Sequence, residues 1–138
     1  MLEQERIDLI NYRIQTANEM LEASQAMIGL KMFKSSINRS YYSVFHAIRA
    51  LLAIDGVDFK KHSGVISYFS QQYIKTETFD KIFGEYISKL SIFRNESDYD
   101  DFFIVSKEEA EEQSQRAKVI VISISEYLDK TIGLNHSK

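Results

Sequence analysis

Apolar residues recur along this chain at intervals of three and four, which is the spacing of one face of an α-helix. A helical stripe continues through the apolar run 119–124, which would resemble a strand if it stood alone. The pattern predicts four long helices and a shorter one between the second and third of them. The long helices are predicted from Glu3 to Ile28, from Ser35 to Val57, from about Phe79 to Arg94 and from Ser106 onward, and the short one from His62 to about Tyr73.

Helix-end signals agree with these limits. Counting all five helices in chain order, the run NESDYDD, residues 95–101, is predicted to end the fourth helix and form a loop. A loose tail is predicted from about residue 132. The predicted signals are, in chain order, Ser35 or Ser36 as an N-cap, Gly56 as a left-handed C-terminal residue, Thr76 to Thr78 as the cap of the fourth helix, and a capping box of Ser106 with Glu109.

Composition favours helices joined by short turns. The chain has 138 residues, no proline and only five glycines, which is unlike a sheet protein rich in β-turns. No internal repeat or domain boundary is present. The sequence therefore predicts a single all-α domain over residues 1–138, an antiparallel bundle of four long helices plus one short helix.

Several classes of function lack their signatures. Cysteine is absent, which excludes disulfides and thiolate metal sites and fits a reducing compartment. No two histidines stand four apart, so we expect no metal and no cofactor; His62 is predicted to be an ordinary exposed residue and His136 to lie in the tail. No apolar run approaches the roughly 20 residues of a membrane span. We expect a cytoplasmic protein without membrane attachment, and the net charge of −3 predicts no general attraction to nucleic acid outside a local basic patch.

One stripe of the second helix is polar. Arg39, Tyr42, His46 and Arg49 are spaced three, four and three apart, so they lie in one row. The row could line a cleft or a subunit contact, where a guanidinium and an imidazole bind phosphate and move protons. Alternatively, it could form ion pairs with acidic residues of the first or last helix.

Arg94 lies on the flank of the apolar stripe of the fourth helix and is expected to be partly buried. A buried arginine needs a compensating partner, and Asp98, four residues on, could form a salt bridge with it. The alternative is an arginine presented to a phosphate, with Asn95, Asp98 and Tyr99 around it.

Two segments resemble the small stand-alone HEPN-domain proteins of prokaryotes. They are INRSYYSVFHAIRALLAIDGVDFKKHSGVISYF, residues 37–69, and FRNESDY, residues 93–99. The family features in them are Asn-Arg-x-Tyr-Tyr at the start of the second helix, a Lys-His-x-Gly-Val turn, and a late arginine followed by Asp-Tyr. The resemblance covers roughly residues 15–128.

The resemblance implies an all-α fold, a homodimer and, in many members, a minimal nucleotidyltransferase encoded beside it as the other half of a toxin–antitoxin pair. Active members are metal-independent RNases in which a histidine follows an arginine after four to six residues. Such an arginine can hold the scissile phosphate while the histidine handles the proton of the 2′-hydroxyl.

Here Arg94 matches the arginine, but Tyr99, Asp100 and Asp101 stand where the histidine belongs. A tyrosine has an unperturbed pKa of about 10, which suits proton transfer near neutrality poorly. The first hypothesis is therefore a homodimeric binding module for a nucleotidyltransferase, a nucleotide or RNA. The second is an RNase whose histidine comes from elsewhere in the bundle, and the third is a structural adaptor. In the first hypothesis the binding residues would be Arg94, Asn95, Asp98 and Tyr99, with Arg39, Tyr42 and His46 in the same cleft. In the second, the missing histidine would be His46 or His62.

Overall fold

The computed structural model describes residues 3–132, which form five α-helices and no strand. This confirms the predicted all-α bundle of four long helices and a short one. The predicted tail and His136 lie outside the described residues. The helices are α1 (Gln4–Gly29), α2 (Phe33–Asp55), α3 (His62–Phe69), α4 (Ile82–Tyr99) and α5 (Lys107–Ile132).

Helix α2 lies at the centre of the bundle and packs against each of the other four helices. Thirteen of its 23 residues are buried, so little of its surface is left for solvent. Gly56 ends it with a φ of +73°, the left-handed conformation that glycine adopts without steric cost, as the sequence predicts.

Buried serines join α1 to α2. The Ser24 hydroxyl oxygen lies 2.6 Å from that of Ser40 and 3.1 Å from that of Ser36, and the Ser36 hydroxyl also donates to the Ser24 carbonyl at 2.9 Å. The small side chains allow the two helices to approach closely while their hydroxyls satisfy one another. The predicted N-cap at Ser35 or Ser36 is wrong, because α2 begins at Phe33 and the Ser36 hydroxyl is used in this contact.

The connection from α3 to α4 differs from the prediction. Helix α3 continues into one π-helical turn, Ser70–Ile74, and α4 begins only at Ile82, whose N–H donates to Asp80 Oδ1 at 2.9 Å. Thr76 to Thr78 do not cap α4, because the Thr76 hydroxyl donates back to the Gln72 carbonyl at 2.9 Å. Phe79 is buried in the core instead of starting the helix.

At the α4–α5 connection, the predicted end of α4 is wrong and the predicted start of α5 is confirmed. Helix α4 runs through Tyr99, so residues 95–99 are helical and only 100–106 connect the helices. The capping box that starts α5 is confirmed: Ser106 N–H donates to Glu109 Oε1 at 2.9 Å, and Glu109 N–H donates to Ser106 Oγ at 3.0 Å. The run 119–124 is part of α5, as predicted.

We expect Ser106→Ala to lower the free energy of unfolding by about 1 kcal/mol, the usual effect of losing an N-cap side chain. Urea unfolding followed by circular dichroism measures it. Ser67→Ala on the exposed side of α3 is the control and should cause no such loss. Equal unfolding free energies for the two variants would mean that the capping box adds nothing to stability.

Candidate functional site

Arg94 of α4 is half-buried, and its guanidinium lies against two adjacent tyrosines of α2. Its Nη1 donates to the Tyr42 hydroxyl at 2.9 Å. Its central carbon, Cζ, lies 4.6 Å from the centre of the Tyr41 ring and 5.6 Å from that of Tyr42. These distances are those of cation–π contacts, so the two phenol rings hold the cation in place.

The guanidinium has no carboxylate partner among residues 3–132. Its Nη2 donates to the Asn95 side-chain oxygen at 3.0 Å, and its Nε is buried without a hydrogen-bond partner. The alternative of a salt bridge to Asp98 is wrong, because Arg94 turns toward α2, while Asp98 is exposed and pairs with no cation of the described helices and loops. The positive charge of Arg94 is therefore not neutralised by the protein residues around it.

His62, the first residue of α3, joins the same tyrosines. Its Nδ1 lies 3.1 Å from the Tyr41 hydroxyl, and its ring centre is 4.1 Å from that of Phe45 and 5.7 Å from that of Tyr42. The prediction that His62 is an ordinary exposed residue is wrong, since these aromatic contacts leave it half-buried. Three helices thus bring an arginine, two phenols and an imidazole together, and we call Tyr41, Tyr42, His62 and Arg94 the Arg94 centre.

The protonation states in the Arg94 centre follow from burial and from the nearby cations. Burial lowers the pKa of His62, and the positive charges of Arg94 and Arg49 lower it further. Burial raises the pKa of Tyr41, and Arg94 opposes that rise only in part. At neutral pH the imidazole is therefore neutral and the Tyr41 hydroxyl keeps its proton, so the tautomer of His62 decides which of the two groups donates in their hydrogen bond.

Arg49, the last member of the polar row, is part of a separate ion cluster. Its Nη2 lies 2.9 Å from Asp58 Oδ2, and the Nη2 of Arg13 lies 3.2 Å from the same oxygen. The alternative of ion pairing with acids of the first or last helix is wrong for Arg49, because the carboxylate comes from the α2–α3 connection and α1 contributes an arginine. Two cations share one carboxylate, so this cluster retains a net positive charge.

The other predicted site residues are only partly brought together. His46 is half-buried, with its ring centre 6.2 Å from that of Tyr42. Burial lowers its pKa, as do the charges of nearby arginines. Arg39 donates to Asn38 Oδ1 of its own helix at 2.8 Å and is not part of the Arg94 centre. Tyr99 is 83% exposed and, like Asp98, does not contact the Arg94 guanidinium.

Sequence reasoning missed the role of Tyr41 and undervalued His62. Tyr41 is on the apolar face of α2 and is only 4% exposed, so its position predicts a core residue. The adjacent pair Tyr41 and Tyr42 is the feature that could have identified it, because two neighbouring phenols on one helix can flank a cation. His62 depends on the path of the α2–α3 connection, which helical periodicity does not describe.

A groove with a volume of about 470 Å³ lies beside the Arg94 centre and shares His62 with it. Within the described part of the chain, no group of three or more His, Cys, Asp or Glu side chains is placed to hold a metal ion. Over the same residues, none of the helices combines the length and the apolar character needed to cross a membrane. The reactive groups of the Arg94 centre itself are one guanidinium, two phenol hydroxyls and one imidazole.

All residues of the Arg94 centre lie in a region that matches a known family. The sequence model of the HEPN domain matches residues 10–127. The chain belongs to the HEPN domain family. This confirms the resemblance carried by the two segments 37–69 and 93–99, and both segments contribute to the Arg94 centre of this HEPN domain.

Curated relatives cover most of the HEPN chain. "Putative toxin MJ0142" of Methanocaldococcus jannaschii is 34% identical to it, over 83% of this chain and 78% of that protein. "UPF0332 protein" of Thermotoga maritima is 28% identical over 91% and 95% of the two chains. "Putative toxin MJ0605", also of Methanocaldococcus jannaschii, is 30% identical over 86% and 88%.

We expect Arg94→Gln to raise the pKa of His62 toward its ordinary value. Loss of the guanidinium removes a positive charge that disfavours the protonated imidazole. Titration of the His62 ring protons by NMR measures the shift. Arg116→Gln, which removes an arginine lying over Tyr86 in another part of the bundle, should leave the His62 pKa unchanged. An unaltered pKa in Arg94→Gln would show that the two groups are electrostatically independent.

Proposed function

We propose that this HEPN domain is a binding module for phosphate groups of RNA or a nucleotide, with Arg94 as the anion-binding residue. The observation that carries the proposal is a guanidinium held by Tyr41 and Tyr42 with no carboxylate partner in the described residues. A buried charge normally requires such a partner, and Arg94 is half-buried with its Nε enclosed and without a hydrogen-bond acceptor within residues 3–132. A phosphate oxygen would supply the missing negative charge and could accept hydrogen bonds from the planar guanidinium.

Local charge supports phosphate binding although the whole chain is acidic. The net charge is −3, so the protein surface as a whole does not attract the phosphates of an RNA backbone. Around the groove, however, Arg13 and Arg49 share the single carboxylate of Asp58, and Lys60 lines the groove as well. Together with Arg94, these side chains form a local excess of positive charge that would attract phosphates to this side of the bundle.

We further propose that the domain acts as a homodimer and engages a minimal nucleotidyltransferase in a toxin–antitoxin pair. Membership of the HEPN family and the toxin names of two relatives support this. A second, mainly apolar groove of about 350 Å³ between α3 and α4 offers a surface for association. Ile92 at this groove is 53% exposed, which is high for a large aliphatic side chain.

We expect Arg94→Ala to weaken binding of a single-stranded RNA oligonucleotide about tenfold or more, the usual effect of losing a charge-assisted hydrogen bond. Fluorescence anisotropy with end-labelled RNA at low salt measures the affinity. Arg116→Ala removes the same charge from another part of the bundle and should bind like the wild type. A melting temperature measured on each variant checks that the domain is folded. Wild-type affinity in a folded Arg94→Ala would refute the assignment of Arg94.

A metal-independent RNase is the second candidate, and the position of His62 favours it. When His62 Nδ1–H donates to the Tyr41 hydroxyl, Nε2 of the neutral imidazole is free to take the proton of a ribose 2′-hydroxyl while Arg94 stabilises the charge that develops on the phosphate. The 2′-oxygen would then form a bond to phosphorus as the bond to the 5′-oxygen breaks, and the departing oxygen would take a proton from water. This histidine comes from α3, not from the end of α4 where the family motif has it.

If the domain is such an RNase, the wild type should cleave RNA in EDTA, and Arg94→Ala and His62→Ala should each abolish cleavage. His46→Ala, which changes a histidine outside the Arg94 centre, should retain it. Gel analysis of a labelled transcript after incubation with excess protein measures cleavage. Intact RNA with the wild type would eliminate the RNase and leave the binding module.

A further inference from the structure

The groove beside the Arg94 centre combines an exposed aromatic ring with cations. Its volume of about 470 Å³ falls in the range of small-ligand sites. Phe59 is 42% exposed, although a phenylalanine side chain is less stable in contact with water than in an apolar environment. The residues that line the groove are Phe45, Arg49, Asp58, Phe59, Lys60 and His62.

The Phe59 ring is held in position by its neighbours. A Cβ atom built on Gly64 would lie 3.1 Å from Phe59 Cβ and 3.2 Å from its Cγ, so the side chain packs directly on the glycine backbone. The ring centre is 5.7 Å from that of Tyr68, and the Phe59 N–H donates to Asp58 Oδ1 at 2.8 Å. The connection therefore presents a fixed aromatic surface to the groove, which reduces the entropy lost when a planar group stacks on it.

His62 connects this aromatic surface to the Arg94 centre. It lines the groove, and its Nδ1 lies within hydrogen-bond distance of Tyr41, whose ring carries the Arg94 guanidinium. The groove also borders the first residue of α3, the end of the helix at which the dipole places its partial positive charge. An anion at Arg94 and a planar group at Phe59 would thus be bound on either side of one imidazole ring.

We propose that this groove is a base-stacking subsite in which Phe59 stacks on an unpaired nucleobase of an RNA strand whose phosphate is bound at Arg94. The inference rests on the proposed function and narrows its ligand to single-stranded RNA, because the base faces in a duplex are already stacked on one another. Lys60 contributes a cation for a neighbouring phosphate. Aromatic rings interleaved with cations are the general means by which proteins bind single strands without regard to sequence.

Two labelled probes test the inference: a hexamer of uridine and an abasic hexamer with the same sugar–phosphate backbone. Wild-type protein should bind the uridine hexamer more tightly than the abasic one in fluorescence anisotropy. Phe59→Ala should weaken binding of the uridine hexamer about tenfold, as is usual for loss of one stacking partner, and leave the abasic hexamer unaffected. Phe59→Leu keeps the apolar packing on Gly64 but removes the ring, and it should show the same selective loss. Phe59→Tyr, which retains an aromatic ring, should bind the uridine hexamer like the wild type.

Phe102→Ala is the matched control, because Phe102 is 91% exposed and does not line the groove. Unchanged uridine-hexamer affinity in both Phe59→Ala and Phe59→Leu, with Arg94→Ala weakened for both probes, would overturn the stacking subsite alone. Wild-type affinity for both probes in Arg94→Ala would overturn the phosphate site on which it rests. Failure of the wild type to bind either hexamer would overturn both proposals.

Discussion

The guanidinium of Arg94 packs against Tyr41 and Tyr42 and donates to a phenol oxygen, yet its charge is not neutralised within the described residues. Cation–π contacts contribute about 0.5–2 kcal/mol each, according to how far they are removed from water. These contacts fix the cation in place but leave its electric field intact. A carboxylate partner would cancel most of that field. The Arg94 centre therefore presents a fixed positive charge, which adds to the effect of burial in lowering the pKa of His62 and on which the proposed attraction of phosphate depends.

The bundle provides the rigidity that this arrangement requires. Tyr41 and Tyr42 belong to α2, whose position is fixed by burial on several sides and by the Ser24, Ser36 and Ser40 contact with α1. Arg94 lies on α4, which packs on α2 through an apolar stripe that includes Leu90. Groups held on packed helices retain their geometry better than groups on loops, so the spacing between the guanidinium and the phenols is well defined.

Features encoded by neighbouring residues could be predicted from the sequence. Helical periodicity predicted the five helices, and the Ser106–Glu109 spacing predicted the capping box, because both depend on residues a few positions apart. Features that depend on distant contacts could not. Ser36 has the side chain of an N-cap, but its tertiary contact with α1 determines its role.

The site shows the same division between local and distant contacts. Arg94 was identified from its position at the polar edge of an apolar stripe, but its partners were not, since Tyr41 has the pattern of a core residue. Likewise, the pairing of Arg49 with Asp58 depends on how the α2–α3 connection folds back. Periodicity gives the face on which a residue lies, and only tertiary packing gives the residue that it meets.

In the proposed function, the Arg94 guanidinium is free to bind a phosphate. The most direct test is an NMR titration of the arginine side-chain nitrogen resonances with uridine 3′-monophosphate. A phosphate bound at the Arg94 centre should shift the Arg94 Nε and Nη resonances along a saturable curve, while those of Arg39 and Arg116 stay in place. Arg94 resonances that remain unchanged at saturating nucleotide, or that move no more than those of the other arginines, would contradict the account.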